Sequence, residues 1–191
     1  MAIHERKARE REARERLIID AARELAEAEG WDAVTTRRLA ERVEYSQPVL
    51  YSHFAGMGAL MAAVAMEGFA EIAEALRAVR TPEASPSERL ADVASAYLDF
   101  GARHPALYDA MFSRAVQLEF AQESTPAPMR EGFGALREAV RPLAADAAEL
   151  DALTEVFWSC LHGLVTLAAT GRLNSALVEQ RLTALVARFT R

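Results

Sequence analysis

The sequence predicts an all-α protein of about nine helices, and three observations point to that class. Apolar residues recur at i, i+3 and i+4 along most of the chain. No segment shows the strict alternation of a half-buried strand. With 9 Gly and 7 Pro in 191 residues, few positions punctuate strands and tight turns. Hydrophobic residues make up 51%, enough to fill a core in one domain or two small ones.

The elements follow in order. Residues 5–29 read as one long helix, with Leu17, Ile18, Ala21, Ala22, Leu25, Ala26 and Ala28 on its inner side and Gly30 as its stop. Glu10–Arg14 and Glu12–Arg16 have the i,i+4 spacing of favourable helical pairs. Thr35 is the expected N-cap of a short helix over 36–43, with Leu39, Ala40 and Val43 inward. Glu44-Tyr45 makes a tight turn, and Ser46 caps a second short helix. Pro48 falls in its first turn, where a missing N–H costs nothing. After Phe54 a Gly-containing turn leads into a helix over 57–79. Residues 81–85 are a linker, and Ser85-Pro86-Ser87-Glu88 combines a capping box with Pro at the first helical position. That helix runs to Arg103, where His104-Pro105 breaks it, and a shorter one covers 105–118. Residues 121–128 are a loop, and helices follow at 129–144, 147–170 and 175–189. Asn174 is the expected N-cap of the last.

Charge and cysteine usage narrow the function classes. Net charge is −6, and residues 1–54 hold ten Arg/Lys against eleven Asp/Glu, so no overall basic footprint marks a nucleic-acid partner. Any DNA binding must come from where the charges point. The single Cys160 excludes an internal disulfide and fits a reducing cytoplasm. The charged N-terminus has no apolar core of a signal peptide. The most apolar run, 157–171, falls short of the ~20 residues a membrane span needs and reads as a buried helix, so no membrane partner is expected. Cys160 and His162 are two apart and share no helical face. The four His lack metal-ligand spacing. Neither an enzyme, a cofactor nor a metal is expected.

Two short helices joined by a tight turn, the second opening on polar residues, fit a helix-turn-helix. In that motif the first turn of the second helix enters the major groove while flanking residues hold phosphates. With TTRRLAERV (35–43), SQPVLYSHF (46–54) and Ala59-Leu60 following LIIDAARELAEAEGW (17–31), the chain resembles the TetR family of bacterial repressors. HPALYDAMF (104–112) and WSCLHGLVTLAATGRL (158–173) resemble the ligand-binding domain of a subgroup marked by Trp158, His162 and Gly163.

The resemblance implies roles for matching positions. Thr36 and Arg37 contact phosphate, or for Arg37 a guanine edge. Gln47, Pro48 and Val49 open the reading helix, where Gln47 suits adenine and Val49 a thymine methyl. Ser46, Tyr51, Ser52 and His53 position the DNA backbone. On spacing alone Tyr51 and Phe54 are both core; Phe54 stays so, while the apolar body and wet tip of Tyr51 suit an edge with the hydroxyl outward. Two positions depart from the family pattern. Glu44 stands where the family has Gly, bringing backbone strain and negative charge. Met57 stands where the family has a phosphate-gripping Lys. The basic residues of 6–16 are either an N-terminal arm that reaches DNA or a solvated, salt-bridged helix end.

The resemblance further implies three parts: a helix-turn-helix DNA-binding domain over 1–56, a connecting helix over 57–80, and a ligand-binding and dimerisation domain over 81–191. The partners implied are a double-stranded, near-palindromic DNA operator, a small-molecule effector and a second copy bound through the last two helices. Candidate pocket residues are Phe69, Tyr97, Phe100, Tyr108, Met111, Phe112, Phe133, Trp158 and His162, mostly apolar with a few polar tips. Taken singly, each is as well explained as ordinary core. The alternative function is a helical small-molecule-binding module that keeps the fold with weak or no DNA binding.

Overall fold

The computed structural model describes residues 2–79, 83–114, 118 and 122–190, and every regular element among them is helical. In chain order these are α1 (Ala2–Glu29), a 3-10 turn (Trp31–Ala33), α2 (Thr36–Arg42), α3 (Gln47–His53), α4 (Met57–Ala78) and α5 (Pro86–Arg103). They continue with α6 (Pro105–Asp109), which runs on into a π turn (Ala110–Arg114), and α7 (Ala127–Val140), followed by a 3-10 turn (Arg141–Leu143). Then come α8 (Ala147–Ala169), a 3-10 turn (Ser175–Leu177) and α9 (Val178–Phe189). These nine α-helices bear out the expected class. The expected linker at Thr81-Pro82, the stretch 115–117 of the expected 105–118 helix, and Ala121 of the expected loop lie outside the described residues.

The chain divides into two compact units, Met1–Gly68 with His104–Leu118 and Phe69–Arg103 with Glu119–Arg191. In the first, Ile18, Ala21, Ala22, Leu25 and Ala26 form the buried stripe of α1, packed with Leu39, Ala40, Val43, Leu50, Leu60 and Val64. Leu17 sits one residue ahead of that stripe and is 45% exposed, contrary to expectation, while Ile19 is buried. Ala28 is also exposed. α6 is tied to the end of α1. Glu27 accepts the Ala106 and Leu107 N–H groups at 3.1 and 3.0 Å, and the Trp31 indole donates to the Ala106 carbonyl at 2.7 Å. These bonds satisfy orphan amides at a helix start and a buried indole N–H.

In the second unit α5, α7 and α8 pack pairwise and α9 lies on α5. Leu90, Val93, Tyr97 and Phe100 of α5 meet a core that includes Leu136 and Val140 of α7 and Leu150, Phe157, Leu161 and Val165 of α8. The capping box forms as expected. The Ser85 N–H donates to Glu88 Oε2 at 2.8 Å, and the Glu88 N–H donates to Ser85 Oγ at 3.3 Å. The Ser85 hydroxyl, donating to Glu88 Oε2 at 2.6 Å, and then the Ser85 N–H hold the Glu88 carboxyl below its ordinary range.

Several sequence expectations are corrected. The ion pairs on α1 are Arg6–Glu10 and Arg11–Glu15, not Glu10–Arg14 and Glu12–Arg16. α1 is helical from Ala2, so the basic residues of 6–16 belong to a rigid helix rather than an extended arm. The helix expected at 129–144 is α7 plus a 3-10 turn, because Pro142 lacks the N–H that would continue it. Asn174 caps the 3-10 turn ahead of α9, accepting from the Ala176 N–H. Ser46 occupies the N-cap of α3 without a side-chain cap bond. The run 157–171, expected to be a buried helix, belongs to the 23-residue α8, which is long and apolar enough to cross a membrane. α8 buries only the stripe Leu150, Thr154, Phe157, Leu161 and Val165, leaving Val156 and Leu167 in solvent.

Candidate functional site

The reading-head candidates sit on two short helices that could not hold themselves in water. Local signals start them. Thr35 Oγ1 accepts the Arg38 N–H at 3.3 Å, a cap worth about 1 kcal/mol. At the end of α2, Glu44 takes the left-handed conformation with φ 57°, alone among the described non-glycine residues. The Tyr45 N–H then reaches the Ala40 carbonyl at 3.0 Å. This is a Schellman closure, in which Gly is the usual residue at the left-handed position. The expected strain at Glu44 is therefore present, costing on the order of 1 kcal/mol.

Tertiary ion pairs orient α2. Arg38 makes a two-pronged contact with Glu29 at 2.8 and 2.7 Å, and Arg42 reaches Glu24 at 2.6 Å. Both carboxylates lie on α1. Arg37 instead faces solvent, 80% exposed, in an i,i+4 pair with Glu41 at 2.9 Å. Such a pair is weak in water, leaving the guanidinium open to exchange for a phosphate or base. Nothing local in the sequence distinguishes Arg37 from its two bracing neighbours.

On α3, Ser46, Gln47, Pro48, Tyr51 and Ser52 are exposed and Val49 is half-buried. The Tyr51 hydroxyl lies 3.5 Å from Thr36 Oγ1, linking the first turn of α2 to α3. Thr36, Tyr51 and Met57 rim a shallow apolar cleft of about 20 Å³ that also includes Ile18, Leu50, Phe54 and Leu60. Ser52 Oγ donates to the Val49 carbonyl at 2.7 Å. His53 is placed differently from the outward candidates. Its side chain is only 6% exposed, with Nδ1 3.3 Å from Glu15 Oε1. Glu15 also accepts from Arg11 Nε at 2.7 Å, and Arg11 Nη2 donates to the Ser52 carbonyl at 3.4 Å. Arg11 thus places positive charge at the C-terminal end of α3. This bracket between α1 and α3 was not foreseen, because 38 residues separate Glu15 from His53.

The pocket candidates fall in both units. In the first, Tyr108 and Met111 are buried and Phe112 is half-buried, with the Tyr108 and Phe112 rings 4.7 Å apart. In the second, Phe69, Tyr97 and Phe100 are buried, while Phe133, Trp158 and His162 are half-buried. The Trp158 indole donates to the Tyr97 hydroxyl at 3.0 Å, and the Trp158 and His162 rings lie 5.9 Å apart. Burial lowers the His162 pKa from its ordinary 6.5, favouring the neutral imidazole. Trp158 and His162 are i,i+4 neighbours and, with Tyr97, form a polar edge on an otherwise apolar wall.

Residues 18–64 match the family described as bacterial regulatory proteins, tetR family, and residues 90–189 match the tetracyclin repressor-like C-terminal domain. The HTH-type transcriptional regulator YobS of Bacillus subtilis is 31% identical over 96 residues, which span 50% of each chain. The regulator Rv0681 of Mycobacterium tuberculosis is 27% identical over 179 residues, covering 90% of this chain and 78% of that one. Both are described as uncharacterized. Among solved structures, the regulatory protein SCO4313 is 25% identical with a TM-score of 0.72, covering 94% of this chain and 98% of that one. BioQ, solved with its natural double-stranded DNA operator, shares the fold with a TM-score of 0.67 at 22% identity, over 92% of this chain and 96% of that one.

Proposed function

This chain belongs to the TetR family of bacterial transcriptional regulators, and we propose that it is a dimeric, cytoplasmic repressor released from a near-palindromic operator by a small, mainly apolar ligand. The observation that carries the reading is the exposed polar face of the head. Gln47, Pro48 and Tyr51 are exposed on α3, beside the exposed Arg37 of α2, on helices braced from behind. Gln47 offers an amide to an adenine edge, Val49 a methyl surface to thymine, and Arg37 a fork to guanine or phosphate. Thr36, Ser46, Tyr51 and Ser52 supply hydroxyls to the DNA backbone. His53 belongs to the same surface by sequence, and its role is to seat the end of α3 on α1 through Glu15. In this reading 1–56 is the reading head, 57–80 the connecting helix, and 81–191 the ligand-binding and dimerisation domain.

Dimerisation rests on α8 and α9. Val156, Leu167, Leu177 and Val178 are exposed, and α9 has no buried residue among those described. An apolar surface of this kind in a soluble chain marks an interaction face. A two-fold pair would set two copies of α3 about one turn of DNA apart or a little more, hence the near-palindrome. The ligand's wall in the second unit is Phe69, Tyr97, Phe100, Phe133, Trp158 and His162; Tyr108, Met111 and Phe112 are the candidates of the first unit. Ligand shifts the population only through stronger binding to the conformation whose spacing misfits DNA.

Mobility-shift titration of the adjacent intergenic DNA with Arg37→Ala and Gln47→Ala tests the readout. Each lost bidentate contact weakens specific binding by about 1–3 kcal/mol, roughly fivefold to 150-fold. Unchanged specific binding in both variants refutes the assignment. The second reading, a ligand-binding module with little DNA affinity, is favoured by Glu44, by Met57 and by the carboxylate partners of Arg37, Arg38 and Arg42. It prevails if the protein shows no salt-dependent binding to any duplex.

A further inference from the structure

The braces of the head leave it short of free cations. Arg38 and Arg42 are committed to carboxylates on α1, Arg37 is held only weakly by Glu41 and serves the readout, and position 57 offers a Met in the wall of the apolar cleft. Affinity for DNA is dominated by phosphate neutralisation, so a working head needs positive charge from elsewhere.

The N-terminal half of α1 carries it. α1 is helical from Ala2, so His4, Lys7, Arg11 and Arg14 recur at i, i+3, i+7 and i+10 and share one face. All four are exposed. Arg11 fixes where that face looks, because its guanidinium reaches the Ser52 carbonyl at the end of α3. Lys7 lies about one turn before Arg11 and Arg14 about one turn after it, so Lys7 and Arg14 are about 10 Å apart along the axis. Neither Lys7 nor Arg14 has a hydrogen bond or ion pair among the described residues. The nearby acids are turned aside or engaged. Glu15 is held by Arg11 and His53, Glu10 is held by Arg6, and Glu5 and Glu12 fall on the flank.

We propose that the stripe His4, Lys7, Arg11 and Arg14 is a second DNA-backbone surface, continuous with α3, in which Lys7 and Arg14 each neutralise a phosphate. The proposal rests on the reading of α2 and α3 as a DNA-binding head. Arg11 joins the stripe to α3, and the helix sets the charges at regular spacing along one face. The stripe carries no sequence information. It raises affinity for every duplex alike and steepens the salt dependence.

The test is the salt slope of binding, measured by fluorescence anisotropy with a duplex enriched from a random pool, between about 50 and 200 mM salt. The paired variant Lys7→Gln/Arg14→Gln is compared with Arg6→Gln/Arg9→Gln, which removes equal charge from the opposite face. The first pair should reduce the magnitude of the log–log slope by about 1.8 per protomer, or about 3.6 for the bound dimer at about 0.9 per phosphate, and weaken binding at 0.1 M salt by tenfold or more. Preference for the enriched duplex over a scrambled one should stay constant. The opposite-face pair should leave the slope near wild type. Circular dichroism confirms that both variants fold. If wild type binds with a steep slope and the Lys7/Arg14 variant keeps it, or if both pairs lower it equally, the stripe is overturned while the head stands. If wild type binds no duplex in a salt-dependent way, both are overturned.

Discussion

At Gly101 α5 and α8 approach closely, and Gly101→Ala tests that packing quantitatively. A Cβ built there would lie 2.5 and 2.9 Å from the two γ-methyl carbons of Val165 and 3.3 Å from its Cβ. Carbon atoms rest at about 3.5–4.0 Å, so the helices must part by roughly 1 Å at this point. Val165 is buried and β-branched, with one stiff rotamer in a helix, and cannot swing away as a Met or Lys tip would. Overpacking of this kind costs about 1–3 kcal/mol. Against it stands the better helix propensity of Ala, about 0.5–1 kcal/mol. At 2.5 Å the clash falls in the upper part of the overpacking range, about 2–3 kcal/mol, so the balance is a net loss of about 1–2.5 kcal/mol, which for a chain of this size lowers Tm by roughly 2–10 °C. The assay is thermal unfolding by circular dichroism at one fixed protein concentration, since self-association would otherwise move Tm. Val165→Ala alone loses two buried methyls, about 1.5–2.5 kcal/mol. In the double variant the new Cβ meets only the Cβ of residue 165, so the pair should be about 1 kcal/mol more stable than the sum of the singles. A neutral or stabilised Gly101→Ala, or strict additivity in the double variant, would refute the close approach.

Three further outcomes follow from the geometry. Glu44→Gln removes the charge beside the head but keeps the left-handed backbone, so it should tighten DNA binding severalfold in anisotropy titration without raising Tm. Glu44→Gly also relieves the dihedral cost, about 1 kcal/mol, so it should tighten binding and raise Tm as well; equal stability of the two variants would contradict the assigned strain. His162, with its pKa lowered by burial, binds its proton less readily folded than unfolded, so its contribution to stability is fully present above pH 6.5 and declines as pH falls below that value. In thermal unfolding between about pH 5 and 8, His162→Phe should flatten part of that decline, and an unchanged profile would count against the burial of the imidazole. Glu15→Gln should loosen the end of α3 from α1, lowering specific DNA affinity while leaving the salt slope intact, because Glu15 touches no phosphate. A parallel change in slope would place it on the DNA surface instead.

What could be read in advance was what local chemistry decides. Thr35, Gly30, Pro48 and the Ser85–Glu88 box each act within a few residues of themselves, and the helices they bound came out where expected. The strain at Glu44 was legible for the same reason, since the turn demands a left-handed residue whatever lies around it. The division of labour among Arg37, Arg38 and Arg42 was not legible. Three arginines on one short helix look alike until α1 supplies Glu24 and Glu29 to two of them. The inward placement of His53 likewise depends on Glu15, far back in the chain. The π turn at Ala110–Arg114 has no proline or glycine to announce it. α8 was misread as buried because an apolar helix looks the same whether its cover comes from its own chain or from a partner. On the pocket side, Phe69, Tyr97 and Phe100 turned out to be buried, while Trp158 and His162 kept an open edge, a distinction of helical phase and packing that composition does not carry.

The most direct test of the central claim is selection of bound fragments from a random duplex pool by the purified full chain, followed by sequencing. The account predicts an enriched near-palindrome whose half-sites lie about one helical turn apart or a little more, bound with steep salt dependence. No enriched sequence, or binding that ignores salt, would contradict it.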